Sequence, residues 1–145
     1  MGKNRTNSHS VSRLTCHLVW VTKYRYPVLK GKIQKRCRSI LIQICDAEDV
    51  RILSGAVAKD HIHMHIEYAP KHSLSNLLKK LKGRTSRKLQ MEYPELKKRY
   101  WVKHFWAIGY GVWSTGNVTE EMINSYIENH RNPSNEENAD SFVLE

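Results

Sequence analysis

Cysteine is scarce in this 145-residue chain: Cys16, Cys37 and Cys45 are odd in number and show no CxxC spacing. That argues against a disulfide framework or a zinc ribbon. Cys37 and Cys45 fall in a helical pattern and read as buried thiols. No run of 18 apolar residues occurs, so no segment is expected to span a bilayer. The opening stretch MGKNRTNSHSVSR lacks the apolar core of a signal peptide, and a cytoplasmic protein is expected. No internal repeat is visible. Acidic residues are few, 14 against 24 Lys and Arg, for a net charge of +10. Four of those acids lie in the last 14 residues, which leaves 24 bases against 10 acids in residues 1–131. Such an excess favours a polyanionic partner, nucleic acid first; a merely soluble basic protein is the plain alternative.

What is present suffices for one domain with one modest core, since 40% of the residues are hydrophobic. Residues 1–13 read as a flexible arm and 132–145 as an acidic, disordered tail. Between them, LTCHLVWVTKYR (14–25) is rich in β-branched and aromatic residues and predicts a strand. Residues 32–49 carry apolar side chains at 33, 37, 40, 41, 44 and 45, which is helix spacing. Strands are predicted at 50–58 and 61–69, joined tightly through Lys59 and Asp60 as a hairpin. A helix over 73–93 has Ser73 as N-cap and a stripe of Leu74, Leu77, Leu78, Leu81 and Leu89, with a bend or close approach expected at Gly83. A fourth strand is predicted over 104–115 and a last helix over 119–131, capped by Thr119. The order up to the fourth strand matches a ferredoxin-like split βαβ unit: a βαββαβ antiparallel sheet, α+β in class. Its helices cover one face and leave the other for a site.

The stretch DHIHMHI, residues 60–66, repeats histidine at every second position. Alternate residues of a strand share a face, so His61, His63 and His65 lie together, opposite Ile62, Met64 and Ile66. By the same alternation Asp60 should point to the opposite face from the histidines. Imidazoles at this spacing converge readily on one ion, although a histidine-x-histidine pair alone does not specify a reaction. On the last helix Tyr126 and His130 are four apart and share a face. A tyrosine beside a further possible ligand suggests a nucleophile held next to a metal; packing of Tyr126 with Met122, Ile123 and Ile127 is equally compatible with the spacing. Residues 71–103 hold 11 Lys and Arg but two acids, among them Lys79, Lys80, Lys82, Arg84, Arg87 and Lys88 on the predicted helix. The aromatic residues Tyr100, Trp101, Phe105, Trp106, Tyr110 and Trp113 follow. Charge for phosphates and rings for unpaired bases suits single-stranded nucleic acid, and a solvated helix face with core aromatics is the alternative.

The segments KDHIHMHIEYAP, LKKLKGRTSRKL, FWAIGYGVWSTG, SYIENH and CHLVWVTKYRYPVL together resemble the single-tyrosine HUH transposases of small bacterial and archaeal insertion sequences. The resemblance runs from about residue 14 to 131, with the motifs in the family's order. It implies a transposase domain over 14–131 in which His61 and His63 bind a divalent cation, Mg or Mn. Tyr126, on a C-terminal helix, would attack a phosphodiester of single-stranded DNA to give a 5′-phosphotyrosine and a free 3′-hydroxyl. It also implies a homodimer acting on hairpins at element ends. Two departures stand out. His130 occupies the position where the family commonly has a glutamine as third metal ligand, and His65 the position of an aliphatic residue. His130 would keep the ligand role, whereas His65 is left to contact DNA, a partner subunit or water. Other classes compete with this reading. A zinc hydrolase would use the histidines but finds no obvious carboxylate base. A non-catalytic nucleic-acid-binding regulator explains the charge but not the pairing of the histidines with a distal tyrosine. A domesticated relative that processes repeat hairpins is a further alternative.

Overall fold

Alternation in LTCHLVWV gives the first long strand two unlike faces, and the computed structural model builds both. The structure describes residues 6–7, 10–98, 104–114 and 118–130. A two-residue pair joins β1 (Thr6–Asn7) to β2 (Ser10–Val11). Then come β3 (Leu14–Val21), α1 (Gly31–Ala47), β4 (Arg51–Val57), β5 (His61–Tyr68), α2 (Leu74–Glu92), β6 (Gly111–Ser114) and α3 (Glu120–Glu128). The main sheet is antiparallel with strand order β4-β5-β3-β6. β3 and β5 pair along their whole lengths, from Leu14 opposite Tyr68 to Val21 opposite His61.

One face of that pair carries Cys16, Leu18 and Trp20 with Ile62, Met64 and Ile66, all buried. α1 covers it with Cys37, Ile40, Leu41, Ile44 and Cys45, and α2 with Leu77, Leu78, Leu81 and Leu89. Each such aliphatic side chain, fully buried, contributes roughly 1.5–3 kcal/mol, which explains why the 3.6-residue stripes dock here. The three cysteines are buried and free, and burial pushes their thiols up, Cys16 to about 11 and Cys37 and Cys45 to about 12. They are packing residues. The opposite face holds a second, smaller cluster in which Val19 and Val21 of β3 meet Ile123, Tyr126 and Ile127 of α3. α3 therefore lies across the face that carries the histidines. Ser73 and Thr119 cap α2 and α3 by accepting from the N–H groups of Asn76 and Met122 at 3.2 Å each.

Several boundaries differ from the sequence expectation. The first strand stops at Val21 rather than running to residue 25. Thr22 is fully buried and acts as an anchor: its N–H donates to the Asp60 carbonyl at 3.0 Å and its hydroxyl to the Tyr26 carbonyl at 2.8 Å. The chain then turns through a 3₁₀ segment, Lys23–Arg25, with Tyr24 and Arg25 at φ 59° and 54°. The fourth strand is confined to Gly111–Ser114. Before it the chain makes a single bridge, Trp106 to Thr22, and its next carbonyls are taken by a side chain: the Lys82 ammonium donates to Ala107 O at 3.0 Å and Gly109 O at 2.8 Å. Helix α2 runs unbroken through Gly83, and a Cβ there would meet nothing within 4 Å, so the close approach allowed for at that glycine is absent. Residues 99–103 and the tail 132–145 lie outside the described residues. Among the described residues no helix is long and apolar enough to cross a membrane.

Candidate active site

The strand register, not the spacing of β5 alone, assembles the site. Because Val19 pairs with His63 and Val21 with His61, the histidine face of β5 is continuous with the face of β3 on which α3 packs. His61, His63 and His65 lie on one face as the alternation predicts, each partly buried. The same register brings a fourth imidazole, His17 of β3, opposite His65. The rings of His17 and His65 stack with centroids 4.0 Å apart and planes 6° from parallel. His17 Nδ1 stands 3.1 Å from His63 Nε2. His17 carried no sequence signal; its alternation with Val19 and Val21 places it on a face, but only pairing reveals which face. His65 stacks on His17 within the subunit, and its Nε2 is buried without a hydrogen-bond partner.

Asp60 corrects the alternation argument. Its Oδ1 lies 2.9 Å from His61 Nδ1, on the histidine side. It precedes the first strand residue and sits in the hairpin connection, where side chains do not alternate. Arg25 closes the other side, with Nε 3.3 Å from Asp60 Oδ2 and Nη1 3.9 Å from the Glu128 carboxylate of α3. The His61 hydrogen bond, helped by the Arg25 charge, holds the Asp60 carboxyl below its ordinary range. A carboxylate that accepts from Nδ1–H leaves Nε2 of His61 with its lone pair, the arrangement that orients metal-binding imidazoles. The same two contacts tie Asp60 down and disfavour it as the free base a zinc hydrolase would need.

Tyr126 and His130 come together at the end of α3. The rings are 4.7 Å apart, and the His130 Nδ1–H donates to the Tyr126 carbonyl at 3.1 Å, again leaving Nε2 as the acceptor nitrogen. Tyr126 packs edge-on against Trp113 at 5.9 Å, and its hydroxyl is buried without a hydrogen-bond partner. Burial pushes the phenol above its ordinary pKa. Burial also lowers His63, His17 and His130, which favours the neutral, ligand-competent imidazole. Gly111 makes this packing possible: a Cβ there would stand 2.6 Å from the Trp113 ring and 3.3 Å from Tyr126. The packing reading of Tyr126 is met, since it is a core residue of the smaller cluster, on the helix that crosses the histidine face.

The donor set suits a divalent cation: partly buried imidazoles on one face, with an orienting carboxylate behind one of them. Among the described residues, however, no three His, Cys, Asp or Glu side chains converge as a ready cage. His61 and His63 share the face, and a complete ligand set would need donors from outside β5.

The basic residues of α2 divide. Lys79 and Arg87 are exposed, and Arg84 and Lys88 partly so. The Lys80 ammonium instead bonds Glu48 at 2.8 Å, and Lys82 holds the 107–109 carbonyls. Of the aromatic residues expected to meet bases, Phe105 and Trp106 are withdrawn from the surface, while Tyr110 and Trp113 are half-buried. Phe105 and Trp106 are buried in the main core, the Trp106 Nε1–H donating to Thr85 Oγ1 at 2.9 Å, and Trp113 packs on Tyr126. Tyr100 and Trp101 lie outside the described residues.

These features define a mixed α/β domain with an antiparallel sheet whose histidine-bearing face is crossed by a tyrosine-bearing helix. Comparison with known proteins gives that class its family. The family model described as "Transposase IS200 like" matches residues 10–130, and the chain belongs to that family of transposases. It is 30% identical over 118 residues to the ISDra2 transposase TnpA of Deinococcus radiodurans, covering 81% of this chain and 84% of that one. It is 35% identical over 128 residues to the transposase for insertion sequence element IS200 of Salmonella typhimurium, covering 88% and 84%. Among solved structures, a Deinococcus radiodurans R1 protein solved as a candidate transposase superposes with a TM-score of 0.82 at 29% identity, covering 88% of this chain and 98% of that one. A REP-associated tyrosine transposase bound to a REP hairpin shares the fold alone, with a TM-score of 0.55 at 12% identity over 89% and 70% of the two chains.

Proposed function

We propose that this transposase cleaves and rejoins single-stranded DNA at hairpins marking the ends of an element, with Tyr126 as nucleophile. The observation that supports the reading is that α3 packs Tyr126 on Val19 and Val21, the strand residues paired with His63 and His61, with His130 beside Tyr126. The strand order β4-β5-β3-β6, with helices after the first and third of its strands in sequence, is that of a ferredoxin-like split βαβ unit and supports the corresponding fold assignment.

In the reaction the Tyr126 phenol oxygen bonds to phosphorus as the bond from phosphorus to the 3′-oxygen breaks. The phenolic proton passes to solvent and the departing 3′-oxygen takes one up, so no oxidant or cofactor turnover is needed. The phosphotyrosine conserves the phosphodiester bond energy, and a 3′-hydroxyl can attack it in reverse to rejoin a strand. His61, His63 and His130 would hold a divalent cation, Mg or Mn, which when bound polarises a phosphate oxygen. Asp60 and the Tyr126 carbonyl engage Nδ1 of His61 and of His130, which leaves Nε2 as the lone-pair nitrogen of each neutral ring. The phenol is held neutral and dry at rest, so attack requires the α3 face to open or the scissile phosphate to enter between α3 and the sheet. Lys79 and Arg87, with Arg84 and Lys88, present a basic strip for phosphates, with Lys80 and Lys82 on the same helix already engaged by the protein. The active form in this reading is a homodimer, and the protein is cytoplasmic.

The test is to incubate the chain with single-stranded hairpin DNA and Mn²⁺ and resolve the products on a denaturing gel. Wild type should give a covalent protein–DNA adduct and Tyr126→Phe none, with hairpin binding retained in both. An equal adduct from Tyr126→Phe would remove the nucleophile assignment.

A further inference from the structure

We infer that His17 is a metal ligand, sharing one cation with His63. The inference rests on the metal-binding reading above and extends its ligand set to a residue on a different strand. The first support is a distance. Two nitrogens bound to one cation at roughly 2.1 Å each lie about 3.0 Å apart at a right angle and about 3.4 Å apart at the tetrahedral angle. His17 Nδ1 and His63 Nε2 are 3.1 Å apart. The second is placement. The register sets His17 opposite His65, one step along the face from the Val19–His63 pair, so the ring reaches His63 diagonally across the strands. His61 occupies the other neighbouring position on the same face, with Nδ1 already committed to Asp60. The third is the state of His65. Its ring lies parallel to that of His17 at 4.0 Å and fixes the plane in which His17 presents Nδ1. This gives the third histidine of the β5 triplet a role: it props a ligand rather than acting as one.

A neutral imidazole pair at this distance also makes a hydrogen bond, one N–H donating to the other ring's lone pair. In that case His17 occupies the nitrogen that His63 needs for metal, and its removal should strengthen metal binding. The two readings therefore predict opposite signs. Mn²⁺ affinity of the full chain is measured by titration calorimetry, and Co²⁺ is used in parallel as a spectroscopic probe. His17→Ala should weaken Mn²⁺ binding by about tenfold or more and shift the visible Co²⁺ bands, and pulsed electron paramagnetic resonance should lose one imidazole nitrogen from the Mn²⁺ signal. His65→Leu should weaken binding less and leave the nitrogen count unchanged. His17→Leu, which offers no donor atom, keeps the test available if His17→Ala does not fold. Unchanged or tighter binding in a folded His17 variant overturns the inference and leaves the functional reading standing. A wild-type chain that binds neither ion would overturn both.

Discussion

Asp60 accepts a hydrogen bond from the residue that follows it, His61, across 2.9 Å, while Arg25 approaches its other carboxylate oxygen at 3.3 Å. The carboxylate thereby sets the His61 tautomer, and Arg25, which also reaches Glu128, connects that setting to α3. In Asp60→Asn the charge is lost and the hydrogen bond weakens. Mn²⁺ affinity should fall on the order of tenfold, the lower end expected for such outer partners. Titration calorimetry reads this directly, and an unchanged affinity would show that Asp60 does not orient a ligand.

Tyr126 separates stability from chemistry. Its hydroxyl is buried and makes no hydrogen bond, so Tyr126→Phe should unfold at the same temperature as wild type or slightly above it while forming no adduct. Tyr126→Ala should lose roughly 3–5 kcal/mol through the cavity left beside Val19, Ile123 and Trp113. A melting temperature markedly lowered in the phenylalanine variant would mean that the hydroxyl has a structural partner.

At Gly111 there is no room for a side chain. In Gly111→Ala the methyl group must displace the Trp113 ring, which a Cβ would meet at 2.6 Å, and then Tyr126. The expected cost is about 1–3 kcal/mol by urea unfolding, with faster hydrogen exchange localised to α3. Exchange that speeds up equally throughout the chain would count against this account.

Thr85 is the fully buried polar residue that joins α2 to the segment before β6. It donates to the Leu81 carbonyl at 2.6 Å and accepts from the Trp106 indole at 2.9 Å. Thr85→Val keeps the volume but leaves the indole N–H buried and unpaired, at about 1–3 kcal/mol. Thr85→Ser should recover most of that loss.

Acid sensitivity follows from the histidines. His17, His63 and His130 are all lowered, chiefly by burial, so the folded chain resists protonation while the unfolded chain takes up protons below its ordinary value of about 6.5. Stability that is intact above that pH should decline as the pH drops through it, before the carboxylates titrate. Thermal melts of the metal-free protein between pH 8 and 5 measure this, and His17→Gln should flatten the slope. A melting temperature constant down to pH 5 would count against it.

The helices and the β4–β5 hairpin were legible in the sequence because local chemistry writes them. Ser73 and Thr119 announce helix starts, the leucine stripe of α2 faces one core, and alternation in HIHMHI separates two faces of a strand. The boundaries that failed did so where a distant residue overrode local propensity. Val21 ends its strand because Thr22 is anchored to Asp60 and Tyr26, and residues 107–109 leave strand geometry where the Lys82 ammonium takes two of their carbonyls. The rings of Phe105 and Trp106 suggested a surface for bases because composition does not say which aromatics a core will claim.

By itself the sequence determined which residues can carry chemistry: three alternating imidazoles, a tyrosine and a histidine one helical turn apart, and a basic helix. Periodicities of two and 3.6 residues group side chains by face within a single element. Only the tertiary structure decided how those faces meet. Pairing of β3 with β5 carried His17 to His63 and His65, the hairpin turn returned Asp60 to His61, and the docking of α3 set Tyr126 over the sheet. Register and docking are long-range choices, made by apolar surfaces far apart in the chain, and local spacing does not encode them.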